Sequence, residues 1–585
     1  MSKEIPIMKN IFKWFADNSQ IIIILLMLVG IGVFTEYHQG IYLYLLENNN
    51  LFLYDWDVVA ERLAVPGGVA YLFAGLLTQF FHLPYAGSVI TTICYGVMVW
   101  AIYRIVRKIY QGPALVGLAF LPIVFLILSL ENSLYRYQGH IAFLFALLAL
   151  WAYSSLPNKR WIVKCCVGIV SCALLYWLIG SAAIVFALGA WLIDLLRLTP
   201  KCVLGIFYIP VTIAMGVYAY KMALVADWHY AFTPLMYYDM IFTYYFQLYA
   251  WGVFVLLLLV AALLDKIPFK LFIQRGIGVA GVLFVTYLLL SFYAVVHTKS
   301  LEKLARQQYY AEQGDWEGVV EQSHPGESVG FISYLNLALA KQGQLVDKLF
   351  VYNQQPPTEL TGRDAETRIG LMMAAYVYQS WGCHAAALKN AFDANLTTSG
   401  GYHPRALQLM VQHNLVMGAY GVAEKYISYL EKTLFYRQWA KDYRRFLYSD
   451  YSVGKDAFLG SIKQSIPHDD YYLVTLLGLN LKEIIHANPQ NKIALQYYQA
   501  YLLLTLDWEF MEDYAYWHQT HYEEPLPERF QEAMASLAQG DPERCKTYGV
   551  GEKVMQHYRD LQHGRMPSHY GRSYWKYLYD HGVKF

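Results

Sequence analysis

Charged residues are scarce in this sequence, and the two signs are nearly balanced. Asp, Glu, Lys and Arg make up 15% of the 585 residues, and the formal net charge is +1. A chain without an excess of one sign has no extended basic surface, so we expect no nucleic-acid partner. The 57% hydrophobic content exceeds that of soluble domains and indicates that most of the chain lies in lipid.

Motifs for metal and nucleotide binding are also missing. The seven cysteines show no CxxC spacing, which predicts neither a zinc site nor a disulfide framework. No phosphate-loop, zinc-protease, serine-hydrolase or dinucleotide motif occurs. We therefore expect no metal and no cofactor.

Long apolar runs are present up to residue 296 and then stop. A bilayer core of about 30 Å needs about 20 apolar residues per helix. On this basis we predict about nine spans, at roughly 20–37, 86–106, 113–131, 139–156, 161–178, 181–198, 202–222, 247–264 and 272–296. The predicted fold class is all-α, with a polytopic membrane domain at 1–297 and a soluble helical domain at 298–585.

Basic residues predict the orientation of these spans. Clusters of Lys and Arg follow alternate spans, at 104–108, 159–164, 197–201 and 266–275. Because such residues are retained on the cytoplasmic side of short loops, the four clusters share that side. The N-terminal lysines Lys3, Lys9 and Lys13 precede an uncleaved first span and belong there too. We therefore expect a bacterial inner-membrane protein with a cytoplasmic N-terminus and a periplasmic C-terminal domain.

The run Val65–Leu83 has two interpretations. If the N-terminus is cytoplasmic, only one crossing separates it from the Arg104 cluster, so the run lies within an outer-face segment, 41–85. Pro66, Gly67 and Pro84 at its ends suit a surface piece. The alternative is a simple span with the N-terminus outside.

Residues 298–585 show the 3.6-residue period of amphipathic helices with little strand alternation. A helix-turn-helix phrase recurs with glycine in the turn at Gly314, Gly343, Gly382 and Gly418, spaced by 29, 39 and 36 residues. These spacings lie near the period of tetratricopeptide repeats. The half resembles a tetratricopeptide-like α-solenoid of helical hairpins, which binds a protein or peptide partner or serves as a rigid spacer.

Ionisable residues near spans are the candidates for chemistry, because such groups are costly in lipid. In a helix, Asp57 and Glu61 share one face, and Asp55 and Arg62 line up on another. A partly desolvated carboxylate here, Asp55 or Asp57, is a candidate general base, with Glu61 and Arg62 as substrate-binding residues. The alternative is an amphipathic surface helix with solvated acids.

A second candidate cluster is ENSLYRYQGH, from Glu131 to His140. Arg136 violates the positive-inside pattern, and its planar fork suits a phosphate or pyrophosphate, with His140 as a further substrate ligand. The alternative is an Arg136–Glu131 pair with headgroup anchoring. The aromatic loop 227–251 is either an interfacial belt or the lining for a sugar or isoprenoid.

Four features of residues 15–140 carry a resemblance. They are the acidic pair after the first span, the surface segment with proline, the small-residue step AGS at 86–88, and a second span that ends in YRIVRK. This layout resembles membrane glycosyltransferases of the C-type fold. The resemblance implies a polyprenyl-phosphate sugar donor on the outer face and a first-loop carboxylate in catalysis. The whole chain also resembles an uncharacterised family of bacterial envelope proteins with a multispan N-terminal half and helical repeats.

Two functions follow as hypotheses. The first is a glycosyltransferase that moves a sugar from a polyprenyl-phosphate lipid to an envelope acceptor. The second is a non-enzymatic membrane-anchored scaffold that recruits periplasmic protein partners.

Overall fold

The protein is helical throughout its described parts. The computed structural model describes residues 19–49, 51–132, 134–157, 161–196, 202–239, 245–297, 299–324, 332–352, 354, 357–361, 367–398, 400–464, 476–566 and 568–583. Within them there is no strand, and a single β-bridge joins Tyr135 to Tyr238. The all-α prediction is confirmed. Several basic residues used for the orientation lie outside the described residues: Lys3, Lys9, Lys13, Lys159, Arg160, Arg197 and Lys201.

The chain divides into two compact units. The first comprises Met1–Thr298 together with the short segment Lys432–Phe435, and the second comprises Lys299–Glu431 and Tyr436–Phe585.

The α-helices of the first unit include short helices between longer ones. Helices α1 to α12 are Ser19–Glu47, Trp56–Leu63, Gly68–Thr78, Ala86–Val106, Leu121–Ser129, Gln138–Ser154, Trp161–Ile179, Ala183–Leu196, Tyr208–Lys221, Trp228–Phe232, Phe246–Asp265 and Leu271–Val296. Short 3₁₀ turns are Pro113–Leu115, Leu118–Phe120, Gly180–Ala182, Cys202–Phe207 and Pro234–Tyr237.

Five helical stretches in the described part of the chain have the length and apolar composition needed to cross a membrane. They are Gln20–Glu47, Ala86–Val106, Trp161–Leu196, Phe246–Asp265 and Leu271–Val296. They fit a multi-pass membrane protein. The stretch Trp161–Leu196 is a hairpin, because Gly180 adopts a left-handed φ of 75° and α7 packs against α8.

The segment 65–83 forms a short helix rather than a long one. Helix α3 has 11 residues, which corresponds to about 17 Å at 1.5 Å per residue. That length falls short of a bilayer core of about 30 Å. The small residues Gly68, Ala70, Ala74 and Gly75 form its buried face, and the helix packs against α6 and α7.

Two predicted spans are less regular than expected. Within 113–131 the α-helix begins only at Leu121, after two 3₁₀ turns. Gly117, between the two turns, lies close to α12, because a Cβ atom there would be 2.4 Å from the backbone nitrogen of Val282. Within 202–222 the α-helix is limited to Tyr208–Lys221.

The second unit consists of short helices. Helices α13 to α30 are Lys299–Gln313, Trp316–Glu321, Ile332–Lys341, Leu345–Lys348, Arg368–Trp381, His384–Leu396, Pro404–Val416, Tyr420–Glu431, Arg437–Arg444, Asp450–Lys455, Ala457–Gln464, Leu477–Ala487, Lys492–Thr505, Trp508–His521, Glu528–Leu537, Pro542–Thr547, Glu552–Gln562 and Tyr574–Asp580. Successive helices pack together, as α17 does with α18 and α19 with α20.

Glycine ends the first helix of several pairs in the second unit. Gly314, Gly343, Gly382 and Gly418 all have φ values between 73° and 83°, a left-handed conformation that glycine adopts without a steric penalty. For example, only Gly382 and Cys383 lie between α17 and α18. A large core of the second unit includes the buried aromatic side chains of Trp381, Tyr497, Phe530 and Trp575.

Candidate functional site

Four loops of the first unit meet at one end of its helices. The backbone nitrogen of Gly67 donates to the carbonyl of Trp177 over 2.8 Å, and Gln138 Nε2 donates to the carbonyl of Gly67 over 3.0 Å. Tyr237 donates through its hydroxyl to the carbonyl of Ile179 over 2.6 Å. We call this region the loop end, defined by residues 55–67, 134–138, 177–181 and 233–239.

Two glycines allow the loops to approach this closely. Gly67 and Gly180 both adopt left-handed φ values, of 82° and 75°. A Cβ atom at Gly67 would lie 2.8 Å from Met236 Cε, and one at Gly180 would lie 2.3 Å from Met236 Sδ. A single methionine therefore packs against both turns, and a larger residue at either position would be strained in its left-handed φ and would displace Met236.

The first-loop acids lie on α2 or just before it. Asp55 is the N-cap of α2, where its carboxylate accepts a hydrogen bond from the backbone nitrogen of Asp57 over 3.2 Å. Asp55 also forms an ion pair with Lys432, and this hydrogen bond lowers the pKa of the carboxyl. Asp57 and Glu61 are exposed within the helix.

Arg62, near the C-terminal end of α2, contacts the next helix, α3. Its guanidinium lies 4.9 Å from the ring centroid of Tyr71 on α3, a cation–π contact. Arg62 is thus directed toward the neighbouring helix.

Arg136 is held by a carboxylate of another loop. Its Nε donates to Asp239 over 2.6 Å, and the side chains of Arg136 and Asp239 are 28% and 8% exposed. The backbone supports the pair, because Arg136 N donates to the carbonyl of Tyr237 and Asp239 N donates to that of Leu134. The alternative Arg136–Glu131 pair is wrong, because the carboxylate that Arg136 contacts belongs to Asp239, 103 positions later in the sequence.

Glu131 instead joins three helical segments of the first unit. The buried carboxylate accepts a hydrogen bond from Gln39 Nε2 over 2.7 Å and lies 3.1 Å from Nδ1 of His297. Gln39 comes from α1, and His297 follows α12 directly. Glu131 therefore connects α1 to the end of α12 inside the first unit.

His140 lies in the interior, fully buried among tyrosines. Its Nε2 is 2.9 Å from the hydroxyl of Tyr95 and its Nδ1 is 2.7 Å from that of Tyr135. The ring also stacks on Tyr137, with centroids 5.0 Å apart. Both ring nitrogens are thus occupied by neighbours, so His140 orients Tyr95 and Tyr135 rather than facing a loop surface.

The aromatic loop 227–251 is divided between inside and outside. Tyr237, Tyr238 and Trp251 are buried, whereas Trp228 is exposed. Residues 240–244 lie outside the described part of the chain. Tyr237 and Tyr238 pack in the core, whereas Tyr249 is exposed like Trp228, so the belt and the lining both stay predictions.

The predicted residues therefore fall into separate environments. Asp55 and Asp57 make no hydrogen bond or ion pair with Arg136 or His140 in the described structure. Glu61 and Arg62 lie on α2 with the acids. Helix α2 and Arg136 nevertheless both lie at the loop end.

The comparisons with known proteins decide the family. A family model described as a family of unknown function, DUF6057, matches residues 17–580. The chain belongs to the DUF6057 family. No curated protein and no solved structure matches it significantly. Membership of DUF6057 supports the expected uncharacterised family and shows no glycosyltransferase relationship.

In this DUF6057 chain the sequence reasoning missed a polar cluster at the opposite end of α6 to α9. Lys164 and Asp194 form a buried ion pair, and Tyr153 donates to Asp194 over 2.6 Å. The hydroxyl of Tyr208 lies 2.8 Å from that of Tyr153. The sequence predicts Lys164 to lie in the basic loop cluster 159–164, whereas the structure places it buried in α7. The sequence feature that could have revealed this cluster is Asp194, the one acid in the apolar helix Ala183–Leu196.

Proposed function

We propose that the protein transfers a sugar from a polyprenyl-phosphate lipid to an envelope acceptor, and that the reaction takes place at the loop end. The observation that carries the proposal is Arg136. A cation oriented by a second side chain, at the same end of the unit as a helix with exposed carboxylates, provides the two groups that such a transfer needs.

The geometry of Arg136 suits a phosphate. Asp239 occupies only Nε, and in the described structure the two Nη atoms make no hydrogen bond. The guanidinium is therefore fixed in direction by Asp239, while its two Nη atoms remain available to bind a ligand. Such an arrangement favours bidentate contact with phosphate oxygens, which lysine does not reproduce.

Asp57 is a better candidate for the base than Asp55. The ion pair with Lys432 lowers the pKa of Asp55, and a carboxylate of lower pKa is a weaker base. Asp57 is exposed on the same helix, and its carboxylate has no ion pair among the described residues. In the proposed step its carboxylate takes the proton of an acceptor hydroxyl, the hydroxyl oxygen bonds to the anomeric carbon, and the bond from that carbon to the phosphate oxygen breaks.

The test compares three conservative variants with a matched control. Asp57→Asn removes the proton acceptor and keeps the size, so turnover of lipid-linked sugar should fall by about 100-fold or more. Arg136→Lys should weaken donor binding at unchanged expression, and Asp55→Asn should have a smaller effect than Asp57→Asn. Asp265→Asn, an exposed acid at the far end of α11, is the control.

The readout is the lipid-linked sugar pool and the acceptor, measured in cells that carry each variant at equal protein level. Turnover at the wild-type rate in both Asp57→Asn and Arg136→Lys would eliminate glycosyl transfer at the loop end.

A second candidate function is partner binding by the second unit. Tyr448 and Tyr451 are 68% and 76% exposed, and the ring of Tyr420 lies 5.4 Å from that of Tyr448. Exposed tyrosines such as Tyr448 and Tyr451 are typical of protein-binding surfaces. A photoreactive amino acid at 451 should crosslink one defined protein, and the same group at Tyr579, also exposed, should not. Equal crosslinking at both positions would argue against a specific surface.

A further inference from the structure

Three metal-binding side chains from distant parts of the sequence meet near the end of the second unit. They are Glu528, His557 and His569, and one ligand atom of each lies within 4.8 Å of the others. Glu528 begins α27, His557 lies in the middle of α29, and His569 precedes the turn Tyr570–Arg572. All three are partly buried.

The cluster contains a nitrogen that the protein does not satisfy. Nδ1 of His557 is buried and makes no hydrogen bond in the described structure, and the rings of His557 and His569 are 4.7 Å apart. A buried imidazole nitrogen without a partner is unfavourable unless something else binds it. The neighbouring carboxylate and second imidazole make a metal cation the appropriate occupant.

A second layer of contacts fixes one of the ligands. Nε2 of His569 lies 3.2 Å from Oε1 of Glu532, whose side chain is fully buried. Glu532 is itself held by Arg529 and by the backbone nitrogen of Tyr574, the latter over 2.7 Å. A carboxylate that holds one nitrogen of a histidine, so that the other faces the metal, is the usual support of zinc-binding histidines.

We propose that Glu528, His557 and His569 bind one Zn²⁺ ion. Two imidazoles and one carboxylate are a donor set that zinc accepts, with a fourth position open to water. Tetrahedral coordination at about 2.0–2.1 Å places ligand atoms about 3.3 Å apart. Small side-chain rotations bring the three donors from within 4.8 Å to that separation.

Two cations of the protein lie beside the site. Lys553 Nζ is 3.4 Å from Oε1 of Glu528, and Arg529 Nη2 is 3.8 Å from the same oxygen. Lys553 is 72% exposed, so its ammonium can leave into solvent when the ion enters. Arg529 stays with Glu532. The lysine therefore competes with zinc, and its removal should strengthen zinc binding.

The sequence did not show this site. The three ligands are 29 and 12 positions apart, which matches no local zinc motif. Only the packing of α29 against α27 brings them together. The bound ion would connect α27, α29 and the segment before α30.

The experiment measures zinc binding to the full chain in detergent, without a histidine tag. After removal of metal with a chelator, the wild type should bind one Zn²⁺ per chain, measured by elemental analysis and by competition with a chromophoric chelator. His557→Gln, His569→Gln and Glu528→Gln should each weaken binding by about 100-fold. His563→Gln is the matched control, because His563 is exposed just after α29 and bonds to the carbonyl of Arg559.

The folding of each variant is checked by circular dichroism and by size-exclusion chromatography. Lys553→Gln should raise the zinc affinity. The proposal is overturned if the wild type binds no stoichiometric zinc, if His563→Gln loses as much affinity as His557→Gln, or if folded Glu528→Gln and His557→Gln bind zinc as the wild type does.

Discussion

The two units satisfy their polar groups in different ways. In the second unit, several helices begin with a side chain that accepts a hydrogen bond from the backbone nitrogen three residues on, as at Asp315, Thr367, Asn491, Asp507 and Asp541. In the first unit, α4, α6, α11 and α12 begin without any side-chain cap. There, buried polar side chains bond from one helix to another.

The difference teaches where a polar residue matters most. A cap stabilises one helix end, and its loss is a local event. A pair such as Lys164 with Asp194, or Gln39 with Glu131, joins two helices inside an apolar bundle. A charged side chain that loses its partner there still bears the free-energy cost of its removal from water.

The largest effect is expected from breaking the buried ion pair. Lys164→Met leaves the Asp194 carboxylate without its lysine, so we expect the free energy of unfolding to fall by about 3–5 kcal/mol. The measurement is denaturant or thermal unfolding of the full chain in detergent. The double variant Lys164→Met with Asp194→Leu should recover most of the loss, because neither charge remains. A double variant as unstable as the single one would contradict this explanation.

The next effect concerns a buried histidine pair in the second unit. Nδ1 of His384 lies 2.9 Å from Nδ1 of His413. Burial lowers the pKa of His384 to about 4 and that of His413 to about 3. Both lie below the ordinary value of about 6.5, so the unfolded chain binds more protons at acid pH.

The second unit should therefore keep its stability above about pH 6.5 and lose it as the pH falls toward 4. Each extra proton bound by the unfolded state contributes about 1.4 kcal/mol per pH unit. Unfolding midpoints at pH 7.5 and 5.0 measure the loss, and His384→Gln with His413→Gln should reduce it. An equal loss in that variant would assign the pH dependence to other groups, such as the buried His403.

A smaller effect is expected from a helix cap. Asp507→Ala removes the hydrogen bond to the backbone nitrogen of Phe510 at the start of α26. We expect a loss of about 1 kcal/mol in the free energy of unfolding. Asp507→Asn keeps a side-chain acceptor and serves as the control. A loss as large in Asp507→Asn would show that the charge matters rather than the cap.

The smallest effect is expected from an exposed ion pair. Lys389 and Asp393 lie 3.0 Å apart on α18, with side chains 63% and 37% exposed. Lys389→Ala should change the free energy of unfolding by about 0.3–0.5 kcal/mol, and less in high salt. A change above 1 kcal/mol would remove the contrast with Lys164.

The sequence predicted what local patterns determine. The apolar runs located the long helices near 86–106, 247–264 and 272–296, and the glycines at 314, 343, 382 and 418 are left-handed as their turn positions require. The runs at 113–131 and 202–222 are predicted as spans, but both begin with 3₁₀ turns, so their α-helices are shorter than the runs.

The site was less predictable because it depends on long-range partners. The carboxylate that holds Arg136 is Asp239, on the third loop, whereas a single sequence offered only the nearby Glu131. Likewise, the pattern around His140 could not reveal that Tyr95, 45 residues earlier, would occupy one of its nitrogens. Helical phase placed Asp57 and Glu61 correctly in one helix, because that relation is local.

The hairpin of α7 and α8 has a consequence for how the protein is made. Its two helices are joined by only the three residues Gly180–Ala182, so we expect both helices to insert into a bilayer together, as one hairpin. Lys164 lies on the first helix of the hairpin and Asp194 on the second. We therefore expect the two charges to neutralise each other within the hairpin itself, without a contribution from any other helix.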